Sequence, residues 1–182
     1  MTDINFKQMS SALPRTTDAE GADGESRAAL PYDLIELLFF AYRDFTGDPD
    51  SVLAKFEFGR AHHRVLHFVE RNPGIMVTEL LAILRITKQS LGRVLKQLVD
   101  AGIIEQREGQ HDRRQRLLYT TERGHALAVD LALLQQKRLE RALIGLPDGS
   151  EEIVRKFLLQ MIDPEMRPEI LQRIRSPFDL ED

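Results

Sequence analysis

The chain contains no cysteine. That excludes disulfides, thiolate zinc sites and any thiol-based oxidant switch. Long apolar runs are missing too. A membrane-spanning helix needs ~20 consecutive apolar residues, and the nearest approach, Leu34 to Phe45, is interrupted by Glu36, Arg43 and Asp44. The N-terminus has no basic start followed by an apolar stretch, so it does not read as a secretory signal. A cytoplasmic protein without a membrane partner is expected. Catalytic patterns are equally lacking: there is no glycine-rich phosphate loop, no nucleophile elbow and no His-Glu-x-x-His pair. Glu151-Glu152 reads as a helix start, since acids favour the positive end of the helix dipole. The acids from Asp179 to Asp182 read as a solvated tail. No enzyme and no cofactor are expected.

What is present suits one domain, or one compact domain with a dimerisation arm. The 182 residues are 42% hydrophobic and 30% charged, enough for a core in a soluble chain. Residues 1–30 are rich in Thr, Ser, Ala, Gly and acids with little periodicity, the composition of a mobile tail. Pro31 stands at a favourable helix start, and Leu34, Leu37, Leu38, Ala41, Tyr42 and Phe45 follow at helical spacing. Gly47-Asp48-Pro49 predicts a break. A second helix is expected from about Ser51, carrying Phe58, Ala61, Val65, Leu66 and Val69 and stopping at Asn72-Pro73-Gly74. A short helix follows over Thr78 to Leu84. The next covers Lys88 to Ala101, with Thr87 as its N-cap and Gly102 closing it.

Ile103 to Gln106 and Arg116 to Thr120 predict two strands around the polar turn Gly109-Gln110-His111-Asp112. Thr121 caps a helix with Leu127, Leu131, Leu134, Leu139, Leu143 and Leu146 as apolar positions, broken at Pro147-Asp148-Gly149. Ser150 starts another, with the stripe Ile153, Val154, Phe157, Leu158, Met161 and Ile162, and a last short helix covers Pro168 to Ile174. The aromatics Tyr32, Phe39, Phe40, Tyr42, Phe45, Phe56 and Phe58 read mostly as core. The pattern is a mainly α fold with a small β-hairpin wing (α+β): a winged helix-turn-helix plus a helical dimerisation region.

On the helix after Thr87, Leu91, Val94, Leu95 and Leu98 fall on one side at ~100° per residue, and Gln89, Arg93 and Lys96 fall opposite, flanked by Lys88 and Ser90. Recognition helices place such residues in the major groove with the N-terminal turns nearest base edges. Gln suits adenine and Arg suits guanine, while Lys and Ser more often hold phosphate. An amphipathic helix with a merely solvated charged face has the same pattern. Two neighbours favour the first reading. A short helix precedes across a tight connection, and a basic hairpin follows. From Thr87 to Arg116 seven basic residues (Lys88, Arg93, Lys96, Arg107, Arg113, Arg114, Arg116) stand against four acids (Asp100, Glu105, Glu108, Asp112), a local charge of +3 in a chain of −4. Phosphate neutralisation requires such a local excess, and an Arg at a hairpin tip suits a narrow minor groove.

From about Gly59 to Gly124 the sequence resembles the MarR family of winged-helix regulators. The residues that carry the resemblance are Asn72-Pro73-Gly74, Glu79-Leu80, Ile86-Thr87-Lys88-Gln89-Ser90, Leu98 with Gly102-Ile103-Ile104 and Arg107, Asp112-Arg113-Arg114, and Thr121-Glu122-Arg123-Gly124. The resemblance implies a homodimer on double-stranded DNA, with half-sites ~34 Å apart. It implies residues 31–54 as an N-terminal dimerisation helix, 55–122 as the DNA-binding region and 123–182 as C-terminal dimerisation helices. It further implies that Asp112 braces the wing through a nearby Arg and that Arg113 or Arg114 contacts DNA. Met76, Leu81 and Thr120 depart from common family residues. Gly92 lies inside the recognition helix at a cost of about 1 kcal/mol against Ala, and it suits a close approach to DNA or to a neighbouring helix.

A small-molecule effector is implied by the same resemblance, in a pocket between the dimerisation helices and the winged region. Phe39, Tyr42, Arg43 and His63 are the candidate lining, a cation beside aromatics that suits an aromatic acid or an acyl thioester. His63 and His67, four apart, suit one metal, but no third ligand is evident, and polar surface or pocket lining is the plainer reading. The function expected is a DNA-binding regulator, a repressor released by an effector. The alternatives are a winged-helix DNA binder without a ligand, and a module that binds a protein.

Overall fold

The computed structural model describes residues 31–109 and 115–174. Helix α1 (Tyr32–Leu53) leads through a 3-10 turn (Ala54–Phe56) to α2 (Arg60–Arg71), strand β1 (Ile75–Met76), α3 (Val77–Leu84) and α4 (Lys88–Asp100). Strands β2 (Ile104–Glu108) and β3 (Arg116–Thr120) precede α5 (Glu122–Leu143), α6 (Ser150–Gln160), a 3-10 turn (Pro164–Met166) and α7 (Arg167–Ile174). This is the expected mainly α fold with a small antiparallel sheet. The tail expected over residues 1–30 lies outside the described residues. No described helix is long and apolar enough to cross a membrane.

The break expected at Gly47-Asp48-Pro49 does not occur: α1 runs through it with Pro49 inside the helix. A proline in a helix interior costs ~3 kcal/mol or more, so tertiary contacts must offset it. Pro49 is buried. Asp48 accepts two hydrogen bonds from Arg138 of α5, from Nε at 2.9 Å and from Nη2 at 3.0 Å. Thr46 Oγ1 donates to the Tyr42 carbonyl at 3.0 Å, and Ser51 Oγ donates to that of Asp48 at 2.7 Å. The chain turns instead at Glu57, whose φ is +58°. The second helix therefore starts at Arg60 rather than Ser51, and Gly59 N–H donates to His62 Nδ1 at 3.1 Å in its first turn.

Strand β1 is an addition. It pairs with β3 through Ile75↔Leu118 and Met76↔Leu117, giving a three-stranded sheet ordered β1-β3-β2. Two residues are too few to show an alternating pattern. Between the helices and this sheet lies one core, to which Val65, Leu66, Leu80, Leu91, Leu98, Ile103, Leu118 and Leu131 contribute.

The junction from wing to α5 depends on one close approach. Thr121 Oγ1 donates to the Gly102 carbonyl at 2.7 Å and accepts from Gly124 N–H at 3.0 Å. A Cβ on Gly124 would lie 2.0 Å from the Ile103 carbonyl oxygen. That contact gives the Thr-x-x-Gly pattern its physical reason.

The aromatic residues correct a second expectation. Tyr32, Phe39, Phe40, Tyr42 and Phe56 are exposed rather than core. The exposed aromatics of α1 lie in its N-terminal half, while Pro49 and Leu53 near its C-terminal end are buried. The stripe of α5 is likewise buried only at Leu127 and Leu131, and the helix ends at Leu143, short of Leu146.

Candidate nucleic-acid interface

Helices α3 and α4 form the helix pair. Glu79 accepts from Met76 N–H at 2.9 Å, starting α3. Arg85, with φ +50°, ends that helix in the left-handed conformation, and Thr87 then opens α4. The Thr87 hydroxyl accepts from Ser90 N–H at 3.1 Å and donates to Ser90 Oγ at 2.9 Å. Helix α4 buries Leu91, Val94, Leu95 and Leu98 and exposes Lys88, Gln89, Ser90, Arg93 and Lys96. The helical spacing in the sequence thus becomes one polar face beside the wing. Around Gly92 an added Cβ would meet nothing within 4 Å among the described residues, so no described neighbouring helix requires that glycine.

The wing is β2 and β3 in the register Ile104↔Thr120 to Glu108↔Arg116. Gly109 N–H donates to the Gln115 carbonyl at 3.1 Å beyond it. Asp112, Arg113 and Arg114 lie outside the described residues. Of the other cations in the basic segment, three carry partners. Lys96 pairs with Asp100 at 2.5 Å, Arg107 with Glu105, and Arg116 with Glu108 at 2.9 Å. These pairs are exposed, and such pairs contribute only about 0–1 kcal/mol, so a phosphate can replace the carboxylate at small cost. The Arg107 guanidinium also lies 4.3 Å from the centroid of the Tyr119 ring. Lys88 and Arg93 form no ion pair with a described residue.

Helix α2 braces this face through His62, which the sequence offered only as one of three histidines on the second helix, and through Arg64 and Glu70, which it did not single out. His62 Nε2 and Gln97 Oε1 of α4 lie 2.9 Å apart. Since Nδ1 accepts from Gly59, Nε2 is the donor. Arg64 Nη2 donates to the Leu84 carbonyl at 3.1 Å. Glu70 accepts from Thr120 Oγ1 at 2.7 Å and is 2.6 Å from His125 Nδ1. Each link joins residues 20 to 55 positions apart in the chain, beyond any local pattern.

A cavity of about 700 Å³ opens between α2, α3 and α7, with His67, Phe68, Arg71, Ile83, Arg85 and Ile170 in its lining. None of Phe39, Tyr42, Arg43 and His63 lines it. Phe39 and Tyr42 are exposed on α1 instead, and Arg43 pairs with its neighbour Asp44 at 2.8 Å and lies over the Phe40 ring. That pairing raises the Arg43 pKa. Burial lowers the pKa of His63, with nearby His67 adding to the effect and Asp50 opposing it. Burial and then Arg71 lower that of His67. Among the described residues no group of three His, Cys, Asp or Glu is arranged to hold a metal.

A family model described as MarR family matches residues 57–115, which span the helix pair and the first wing strand. The HTH-type transcriptional regulator PetP of Rhodobacter capsulatus is 46% identical over 133 residues, 73% of this chain and 80% of that one. The chain belongs to the MarR family. As a MarR-family transcriptional regulator it is not an enzyme. Solved MarR-type folds superpose on it. Streptococcus pneumoniae FabT, crystallised in complex with DNA, has a TM-score of 0.64 at 16% identity, covering 71% of this chain and 93% of that one. A putative MarR-family regulator from Listeria monocytogenes, complexed with 26mer DNA, has a TM-score of 0.62 at 18% identity, covering 75% and 91%. At these identities the likeness speaks for the fold.

Proposed function

We propose that this MarR-family regulator is a cytoplasmic repressor that binds a pseudo-palindromic operator as a homodimer and leaves it when a small molecule binds. The observation that carries the DNA reading is the polar face of α4, with Gln89 and Arg93 exposed beside the wing and Lys88 and Arg93 without a described carboxylate partner. In this reading Gln89 and Arg93 read base edges, while Lys88, Ser90 and Lys96 hold phosphates. Thr87 contributes by fixing the first turn, since its hydroxyl is engaged with Ser90. Arg107 and Arg116 supply phosphate contacts along the wing. Arg113 or Arg114 enters the minor groove, and Asp112 holds the wing. That this fold occurs in proteins crystallised with DNA is consistent with the assignment.

Dimerisation is supported by uncovered apolar surface. Tyr32 is 63% exposed, Leu37 63% and Phe39 64% on α1, as are Ile153 at 67% and Phe157 at 56% on α6. Soluble monomers rarely expose contiguous apolar surface of this kind. Residues 31–54 and 123–182 would thus pair with their counterparts and hold two copies of α4 about one helical turn, ~34 Å, apart.

The test is a footprint on the DNA beside the protein's own gene, with Arg93→Ala as the control. A pseudo-palindromic footprint that disappears in the variant, with affinity falling steeply as salt rises, supports the reading. A footprint unchanged by Arg93→Ala refutes the role given to α4. Weak binding without a salt slope would favour a protein-interaction module.

A further inference from the structure

Three aromatic rings and one amide side chain form a continuous column from the turn after α1 to α4. Phe56 stacks on Phe58 with centroids 6.1 Å apart, and Phe58 stacks on His62 at 4.6 Å with the ring planes 13° apart. His62 then meets Gln97 of α4, Nε2 to Oε1, at 2.9 Å. Glu57, between the two phenylalanines, has φ +58°, a left-handed conformation that few residues other than glycine adopt. The Arg123 guanidinium of α5 lies 5.9 Å from the Phe56 centroid and donates to the Ala101 carbonyl at 3.2 Å. The C-terminal half of α4 is thus held from α2 and from α5.

Helix capping alone does not account for this arrangement. At the third position of α2 a side chain caps by accepting from the Gly59 N–H, which uses Nδ1 only. The proton then sits on Nε2, and the bond from Nε2 to Gln97 spans 35 positions of the chain. Its far end lies on the face that reads DNA. Gln89, Arg93 and Gln97 stand four apart, so they form one row along the exposed side of α4. Anchoring Gln97 fixes the roll of that row, and with it the direction in which Gln89 and Arg93 project.

We propose that His62 is a positioning residue for sequence reading: through Gln97 it holds α4 at the angle at which Gln89 and Arg93 meet base edges. Base-edge contacts demand that angle, whereas phosphate contacts tolerate small changes in it. Loss of the link therefore lowers affinity for the operator and leaves affinity for other DNA nearly unchanged. Preorganisation of this kind acts by reducing the ordering cost of binding. This assignment rests on the reading of α4 proposed above.

The test takes the full chain and a duplex enriched by wild type from a random pool of DNA, with a scrambled duplex of the same composition as reference. The readout is the ratio of the two affinities at one salt concentration. Gln97→Met removes the acceptor from an exposed side chain at similar helix preference. His62→Phe keeps a ring against Phe58 and removes both nitrogens, with His62→Ala in its place should that variant not fold. His62→Gln keeps an acceptor for Gly59 and a donor for Gln97. Circular dichroism establishes that each variant is folded.

Gln97→Met and His62→Phe are each expected to lower the ratio about two- to tenfold, the effect of one hydrogen bond. The double variant is expected to fall no further, because the two residues act through one link. His62→Gln is expected to keep the wild-type ratio. An unchanged ratio in Gln97→Met would overturn the proposal, as would multiplied losses in the double variant, equal loss of both affinities, or a His62→Gln protein as impaired as His62→Phe. Should wild type enrich no sequence, the α4 reading falls and this assignment falls with it. An enriched sequence bound alike by wild type and every variant sinks this assignment alone.

Discussion

Gly92 and Gly124 provide a paired experiment, because both are helical glycines in opposite surroundings. At Gly92 an added Cβ meets nothing within 4 Å, so Gly92→Ala recovers only the helix preference of alanine, about 1 kcal/mol. At Gly124 the same methyl lies 2.0 Å from the Ile103 carbonyl oxygen, where contacts under 3.0 Å essentially never occur. The start of α5 must therefore retreat by about 1 Å from the end of α4 and the start of β2. Ile103 O also accepts from Thr121 N–H at 3.1 Å, so the same retreat weakens that hydrogen bond. Overpacking costs about 1–3 kcal/mol and the bond about 1 kcal/mol, against about 1 kcal/mol of helix preference gained. Gly124→Ala should thus destabilise by about 1–3 kcal/mol, and the two variants should differ by about 2–4 kcal/mol. Urea unfolding at one fixed chain concentration measures this, since the proposed association would contribute to apparent stability. Gly124→Ala at or above wild-type stability would refute the packing argument. Operator affinity then reports separately on Gly92: unchanged binding by Gly92→Ala removes any need for a glycine where α4 approaches DNA.

Other consequences follow from the same contacts. Arg138→Met leaves Asp48 without its two donors between α1 and α5 and should cost about 1–3 kcal/mol, measured by urea unfolding. A loss under the error of that measurement would mean that buried Pro49 is held in the helix by other packing. His63 and His67 have folded pKa values lowered by burial, so the unfolded chain binds more protons than the folded one once pH falls below the ordinary histidine value, about 6.5. Stability should be constant in this respect above that pH, decline as pH falls through it, and level off below the folded values. A His63→Gln/His67→Gln protein with the same slope between pH 7 and 5 would exclude these two as the source. Phe157→Glu places a charge on the exposed face of α6 and, if the proposed dimer forms through that face, should yield monomer in sedimentation at micromolar concentration where wild type is dimeric; a variant as dimeric as wild type would remove that face from the proposed interface.

Some of this protein was legible in the sequence because the relevant physics is local. The 3.6-residue spacing of Leu91, Leu95 and Leu98, the Thr87 and Thr121 caps and the change to strand residues after Gly102, expected from Ile103 and found from Ile104, are each set within a few neighbours. So is the polar face of α4, since a helix that buries one side must expose the other. Tertiary packing decided the rest. Pro49 stays in a helix where its ring is buried and where Arg138, ninety positions beyond Asp48, grips that neighbouring carboxylate. Strand β1 exists only because β3 lies beside it. Three of the seven cations counted along the basic segment have carboxylate partners that the count does not place. The aromatics of α1 are uncovered because hydropathy specifies that they prefer burial, and not which surface buries them. Arg71 at the end of α2 and Arg85 at the end of α3 line one cavity although fourteen positions separate them in the chain. Spacing and caps determined the helices, the hairpin and the polar face of α4; which residues share a cavity depended on long-range contacts that no local pattern encodes.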